Sequence, residues 1–430
     1  MNITRKSYGA LGPRDLIVWA FFAVALLVAP LLFPGGLGVT MLSQIGIAIV
    51  ACLSYNILLG QGGMLSFGHA VYTGLASFVA IHALKAIGGG TLPVPVSLIP
   101  LIGGFAGLGF AVLLGFVTTK KSGTTFGMIT LGLGELVFAM SLMIPEFFGG
   151  ESGISGNRVV GKPVAGITFG PQVQVYYLLA IYTFVCTAAM FAFTRTPLGR
   201  MLNAVRDNPE RVEFIGYSTQ RVRYISFIIA GFFAGIAGGM YALNFEIATA
   251  EVVGAGRSGA YLLFTFLGGA TFFFGPIIGA VLMVVATVLL SEFTKAWLLY
   301  LGLVFLFMVM FAPGGIASLI MMNLRVAKFG KFGRLWGWYV ALLASGTVLA
   351  GGMAAIIEMT YHLKLNTEIG SSLKFMGLTL DATGASSWIG ALILAVVGGI
   401  LFEWTRRRFA VRWGDIQGEI EATIRARELA

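Results

Sequence analysis

The chain is a succession of long apolar runs. They occupy residues 16–33, 38–59, 70–88, 94–117, 124–145, 173–194, 224–243, 258–292, 296–313, 336–357 and 387–404, with short polar connectors between them. Most are close to the ~20 residues that a helix needs to cross the hydrocarbon core of a bilayer. A chain of 430 residues is long enough for two or three water-soluble domains. Only 11% of it is charged, however, against roughly a quarter in soluble domains. In lipid every backbone polar group must be satisfied within the protein, which points to helices. The fold class is therefore all-α: a polytopic helical membrane protein with about 10–12 transmembrane helices. The 60 glycines sit among Leu, Phe and Val and read as close helix packing rather than disorder. Cys52 and Cys186 fall inside apolar runs, with no CxxC spacing and no histidine cluster, so no metal, disulfide framework or cofactor is indicated. The first run lacks a small-residue cleavage site and reads as a span, not as a removable leader.

Charge sets the expected topology. The formal net charge of +10 implies no nucleic-acid partner, because Lys and Arg gather on the cytoplasmic side of membrane proteins. The tract 258–292 is too long for one crossing, and Gly268, Gly269, Gly275 and Pro276 are placed to break it. With the N-terminus in the cytoplasm and the tract divided near Phe273, most basic residues share one side. These include Lys120, Lys121, the arginines of 195–223, the cluster from Arg325 to Arg334 and the tail arginines. The expectation is about twelve crossings, or ten plus a broken or re-entrant pair, with both termini cytoplasmic. The chain divides into a cytoplasmic N-terminus (1–15), a core (16–320) with a cytoplasmic loop (195–223), a basic linker (321–335), an extra two-span extension (336–404) and a charged tail (405–430). The tail alternates in sign and reads as a surface helix.

Residues suited to catalysis are few. His69, His82 and His362 are far apart, and no nucleophile–base pattern or paired carboxylates stand out. "GNRVVGKP" (156–163) resembles a phosphate loop but ends in Pro163, follows no strand and falls outside the cytoplasm. The chain reads as a non-enzyme, and any ATP-driven work must come from another chain. In 195–223, Leu198, Met201, Leu202 and Val205 form one apolar helical face, with Arg200 and Arg206 off it. A second short helix follows: Asn208 is its cap, Pro209 its first residue, Glu210 and Glu213 lie near its positive end, and Gly216 stops it. Such a capped hairpin suits docking into a partner's groove, the alternative being a helix lying on the lipid surface.

Two membrane features have open readings. "GQGGMLSFGHA" (60–70) breaks two apolar runs with Gly60, Gln61, Gly63, Ser66 and His69. It is either part of a translocation path or a tight packed connector, with His69 reading as a hydrogen-bonded packing residue. Glu135 is the carboxylate placed well inside a span, with a structural and a functional reading of equal standing. Glu246, Glu251, Glu292 and Lys295 lie near expected outer ends and read as rim residues.

The stretch 197–242, "PLGRMLNAVRDNPERVEFIGYSTQRVRYISFIIAGFFAGIAGGMYA", closely resembles the cytoplasmic loop and following span of LivM-type permeases. These are membrane subunits of bacterial ABC importers for branched-chain amino acids and related small solutes. "NILLGQGGMLSFGHAVYTGLASFVA" (56–80), "TTFGMITLGLGELVF" (124–138), "FGGESGISG" (148–156) and "LLFTFLGGATFFFGPIIGAVL" (262–282) agree in the same order, and "FAPGGI" (311–316) matches the usual end of the core. The resemblance covers roughly 15–320 and implies a type II-like permease core in the bacterial inner membrane. It implies that Asn208, Pro209, Glu210, Arg211, Val212, Phe214, Ile215 and Gly216 form the helix that couples to an ATPase. It also implies a LivH-like second permease, two cytoplasmic ATPase subunits, a periplasmic solute-binding protein and a small amino acid as cargo. Gly60, Gln61, Gly63, Ser66, His69, Glu135, Gly268 and Gly269 are the candidate path residues. Leucine, isoleucine and valine are the expected solutes, with urea or short amides and aromatic acids as alternatives. A stand-alone secondary carrier is the reading from a different class.

Overall fold

The computed structural model describes residues 13–161, 168–365, 372–375 and 378–429. Residues 1–12 of the expected N-terminal segment, and Lys162 and Pro163 of "GNRVVGKP", lie outside the described residues. The chain forms two compact units, one of Met1–Leu290 with Phe305–Ala317 and one of Ser291–Val304 with Ser318–Ala430.

The first unit begins with α1 (Pro13–Leu32) and α2 (Gly36–Asn56), which widens into a π-helical turn over Ile57–Gln61. Then come α3 (Ala70–Gly88), α4 (Ile99–Thr118), α5 (Gly123–Met143), the single turn α6 (Pro145–Phe148) and α7 (Gln172–Arg195). The short pair α8 (Pro197–Asp207) and α9 (Pro209–Phe214) leads into α10 (Thr219–Phe245), α11 (Ala255–Gly268) and α12 (Gly275–Val284). Two antiparallel residue pairs, β1 (Ile154–Ser155) and β2 (Ile247–Ala248), join the ends of the α5 and α10 regions. Arg158 fastens this junction: its guanidinium donates to the carbonyls of Phe169, Leu243, Asn244 and Gly170 and to Gln172 Oε1. Its own N–H donates to Glu246 Oε1 at 2.7 Å, so Glu246, with its side chain 35% exposed at the end of α10, is tied to this junction.

Helices α3 and α10 form the centre, with 78% and 72% of their apolar windows buried. Helix α10 runs antiparallel to α4 with almost nothing between the two backbones. A Cβ added to Gly103 would lie 2.6 Å from the Gly235 carbonyl oxygen, and one on Gly107 would lie 2.6 Å from Gly235 Cα. Lipid is as apolar as a leucine side chain, so such contact rests on van der Waals fit, which small residues permit.

Among the described residues nine helices are long and apolar enough to cross a membrane, or up to ten with the pair α14 (Trp297–Phe311) and α15 (Gly315–Lys328) taken as one span bent by 49°. The protein is thus multi-pass and all-helical in its membrane part. Helix α1, 20 residues long and apolar, stands outside this count, and the 258–292 tract divides as its glycines predict. Its first half, α11, has 14 residues and stops at Gly269, whose φ of +114° ends the helix.

The second unit holds α13 (Ser291–Phe293), the first half of α14, most of α15, α16 (Gly333–Leu365), α17 (Ala385–Leu429) and an antiparallel hairpin of β3 (Ser372–Phe375) and β4 (Leu378–Asp381). Helices α16 and α17 pair antiparallel, with Ser345 and Thr405 hydroxyls 3.0 Å apart. The expected linker at 321–335 is largely helical, only 329–332 separating α15 from α16, and the expected tail at 405–430 continues α17. There Val326, Leu335, Ile416 and Ile420 form a buried cluster, and Glu419 pairs with Lys331 at 2.6 Å and Arg334 at 3.0 Å.

Gly107→Val is expected to destabilise the first unit by roughly 1–3 kcal/mol or more, as overpacking does. Gly109→Val, where an added Cβ meets nothing within 4 Å, should be silent, the readout being the folded fraction of purified protein in a denaturant titration.

Candidate functional site

The hairpin α8–α9 forms where its caps predict. Thr196 Oγ1 accepts the Gly199 N–H at 3.1 Å and Asn208 Oδ1 accepts the Arg211 N–H at 3.0 Å, so each short helix has its first turn satisfied. Pro197 and Pro209 occupy first helical positions, and Gly216, at φ +87°, closes the second helix. Leu202 and Val205 are buried against the unit, as the apolar spacing predicts. Val212, grouped with the docking residues by sequence, is also buried, at 2% exposure, and therefore holds α9 down instead of presenting itself. Glu213, whose Oε1 accepts from the Thr219 hydroxyl at 2.7 Å, ties α9 to α10. What remains outward is Glu210, Arg211, Phe214, Ile215 and Tyr217, with Phe214 at 87% and Ile215 at 66% exposure. A fixed short helix with two bare apolar side chains is the shape of a docking element.

Behind the hairpin lies the broken segment. The π turn Ile57–Gln61 is followed by irregular backbone to His69, and Gly63 has φ +62°. Such backbone is stable inside a membrane protein only if other groups supply its hydrogen bonds. They do. Met64 N–H reaches the Leu58 carbonyl, Phe67 N–H the Thr130 hydroxyl, Ala70 N–H the Ser258 hydroxyl, and the Ser66 carbonyl accepts from Tyr55. His69 is fully buried, its Nε2 2.9 Å from Ser54 Oγ and its ring edge-on to Tyr55. Ser66 is buried too, and its hydroxyl has no partner among the described residues. Gly60 is the contact point of the whole arrangement. A Cβ there would collide with the Ala270 carbonyl and Asn56 Oδ1, so the turn after α11 seats directly on it. The Gly60 carbonyl accepts from Arg206 of the hairpin, whose Cγ would lie 2.7 Å from a Cβ on Gly63. Arg206 thus connects the hairpin to the broken segment, a role that its position off the apolar face did not reveal.

Of the expected path residues, Gly60 lies against Ala270 of the 269–274 turn, with Gln61 and Gly63 following it in the chain and Gly268 and Gly269 at the start of the turn. Glu135 lies apart from them, exposed on α5. A carboxylate on a spanning helix does not face hydrocarbon, so this surface meets water or protein. It lines a groove of about 510 Å³ with Phe138, Tyr241, Glu251, Arg257 and Met283. Glu251, expected at a rim, reaches the groove because the chain after α10 turns inward. A Cβ on Gly74, in the first turns of α3, would lie 2.8 Å from the Val252 carbonyl. Arg257, to which the sequence assigned no role, sits in the first turn of α11 with its guanidinium 5.3 Å from the centre of the Tyr241 ring.

The chain matches, over residues 38–313, the family described as branched-chain amino acid transport system, permease component. It is 26% identical over 333 residues to the high-affinity branched-chain amino acid transport system permease protein LivM of Escherichia coli (strain K12), covering 71% of this chain and 76% of that protein. The identity and coverage are the same for the LivM protein of Salmonella typhimurium. It is also 30% identical over 129 residues to the guanosine ABC transporter permease protein NupQ of Bacillus subtilis, 28% of this chain and 38% of that one. No solved structure matches. The family match takes in the hairpin, the broken segment and the groove, and ends before α15.

Arg206→Ala should loosen the broken segment without unfolding the bundle. Amide exchange at 57–64 is expected to rise about tenfold or more, the scale of one lost charge-assisted hydrogen bond, while exchange in α4 stays unchanged.

Proposed function

Since the chain belongs to the branched-chain amino acid transport permease family, we propose that it is the membrane-spanning permease subunit of an ATP-binding cassette importer for leucine, isoleucine and valine. The observation that carries this reading is the match over 38–313, which contains the hairpin, the broken segment and the groove. The chain then works in the inner membrane of a bacterium with both termini and the α8–α9 hairpin in the cytoplasm. Its partners are a second, LivH-like permease, two cytoplasmic ATPases and a periplasmic binding protein, with the groove on the outer side. The physical features fit a subunit driven by another chain. Its outward apolar pair, Phe214 and Ile215, sits on a helix that is capped and held from behind. ATP-driven closure of the ATPases shifts α9 and with it α8. Arg206 passes that shift to the Gly60 carbonyl, and the segment 57–69 moves against the 269–274 turn. The path for solute opens between the two permeases as these segments rearrange. Gln61, Ser66 and His69 act here as parts of the moving segment rather than as ligands.

A nucleoside is the second reading, because the shorter similarity to NupQ concerns a guanosine permease. Uptake of radiolabelled leucine and guanosine by cells expressing the complete importer separates the two, and guanosine uptake without leucine uptake would overturn the first. For the hairpin, Phe214→Asp with Ile215→Asp should abolish co-purification of the ATPase subunits and reduce uptake to background while membrane insertion stays normal. Retention of both ATPase subunits by this variant would refute the docking role.

A further inference from the structure

The groove holds side chains of both signs, an unusual content for a surface among membrane spans. Glu135 comes from α5, Glu251 from the short turn before α11, and Arg257 from the first turn of α11 itself. Among the described residues Arg257 makes no ion pair, and its guanidinium is steadied by the Tyr241 ring instead. Stacking over a ring fixes the plane of the guanidinium and leaves its N–H edge available for bidentate contact with a carboxylate. The cavity wall also includes Gly254, Ala255 and Gly256, so the N-terminal end of a 14-residue helix opens into it. The first N–H groups of that helix have no partner within it and favour an anion. The two carboxylates line the same space, with Phe138, Val252 and Met283 supplying apolar wall. The volume, about 510 Å³, is that of a small-molecule site. A second, smaller cavity lined by Gln44 and Ile47 shares Tyr241, Arg257, Met283 and Thr287 with the first, so Arg257 stands at the boundary of the two.

We propose that this groove is a contact site for the zwitterionic backbone of an amino acid on its way through the membrane. Arg257 and the α11 N-terminus take the α-carboxylate, Glu135 and Glu251 take the α-ammonium, and Phe138, Val252 and Met283 face an aliphatic side chain. The proposal rests on the amino-acid-importer reading and adds the residues that recognise the charged groups common to all such cargo. A nucleoside is uncharged at neutral pH and has no use for either charge. The groove is open, so the site is a weak one, as a transport path requires.

The test uses the complete importer with its partner subunits, purified and in proteoliposomes. Ala255→Cys places a thiol in the groove wall, and the native Cys52 and Cys186 are buried, so a charged thiol reagent reports on the groove. Millimolar leucine should slow labelling, leucinol, which lacks the carboxylate, should not, and Arg257→Gln should abolish the protection. Uptake of radiolabelled leucine by Arg257→Gln should fall by roughly tenfold or more, the scale of one charge-assisted hydrogen bond, with ATPase subunits co-purifying at the wild-type level. Arg257→Lys should restore part of it. Leucine uptake by the wild type without any protection of the thiol, or unchanged uptake by Arg257→Gln, would overturn the proposal and leave the importer reading standing. Guanosine uptake in place of leucine uptake would overturn both.

Discussion

In a bilayer a helix gains nothing by exchanging lipid for the apolar side chains of a neighbour, so the helices of the first unit meet where side chains are absent. Gly103 and Gly107 of α4 lie directly on Gly235 and Gly239 of α10. This contact fixes α10 at the centre, and α10 carries the hairpin at one end and the Arg158 junction at the other. The groove follows from the same placement, since Tyr241 on α10 supplies the ring beneath Arg257. A wider spacing between α4 and α10 would displace the elements at both ends.

Against that rigid pair stands a segment with little helical bonding of its own. Residues 62–70 depend on Thr130, Ser258 and Tyr55 for backbone hydrogen bonds, each from a different helix. A stretch held in this way is stable only while α2, α5 and α11 keep their positions, and any relative shift of those helices is felt there first. Arg206 reaches the same place from the hairpin. The fold therefore joins two exposed apolar side chains, Phe214 and Ile215, to irregular interior backbone through a single short helix pair.

Much of this was legible in the residues themselves. Apolar runs gave the spans, Asn208 and Pro209 the start of α9, and Gly268 with Gly269 the break in the long tract, because caps and breakers act locally. Features decided by distant partners were not legible. Val212 lies in an apolar pattern too short to show which side of α9 faces inward. Arg206 looks like any other basic loop residue until Gly60 is beside it. Glu251 and Arg257 reach the wall that Glu135 lines only through the turn between α10 and α11, whose course no local pattern reveals. Glu135 was singled out correctly as a charge in a span, but its neighbours come from 249–260, more than a hundred positions away in the chain, and no local rule joins them.

Helix α11 has 14 residues, about 21 Å of helix, against a hydrocarbon core of about 30 Å. Alone it is too short to partition into lipid, and its first turn carries Arg257. Helix α12, with its π-helical continuation, is long and apolar enough to do so. A Cβ on Gly268 would meet the Gly279 amide nitrogen at 2.7 Å, so the two helices are in backbone contact on either side of the 269–274 turn. The place of α11 in the bilayer therefore rests on its pairing with α12, the two acting as one hairpin. The charged wall of the groove is installed by its neighbour's hydrophobicity.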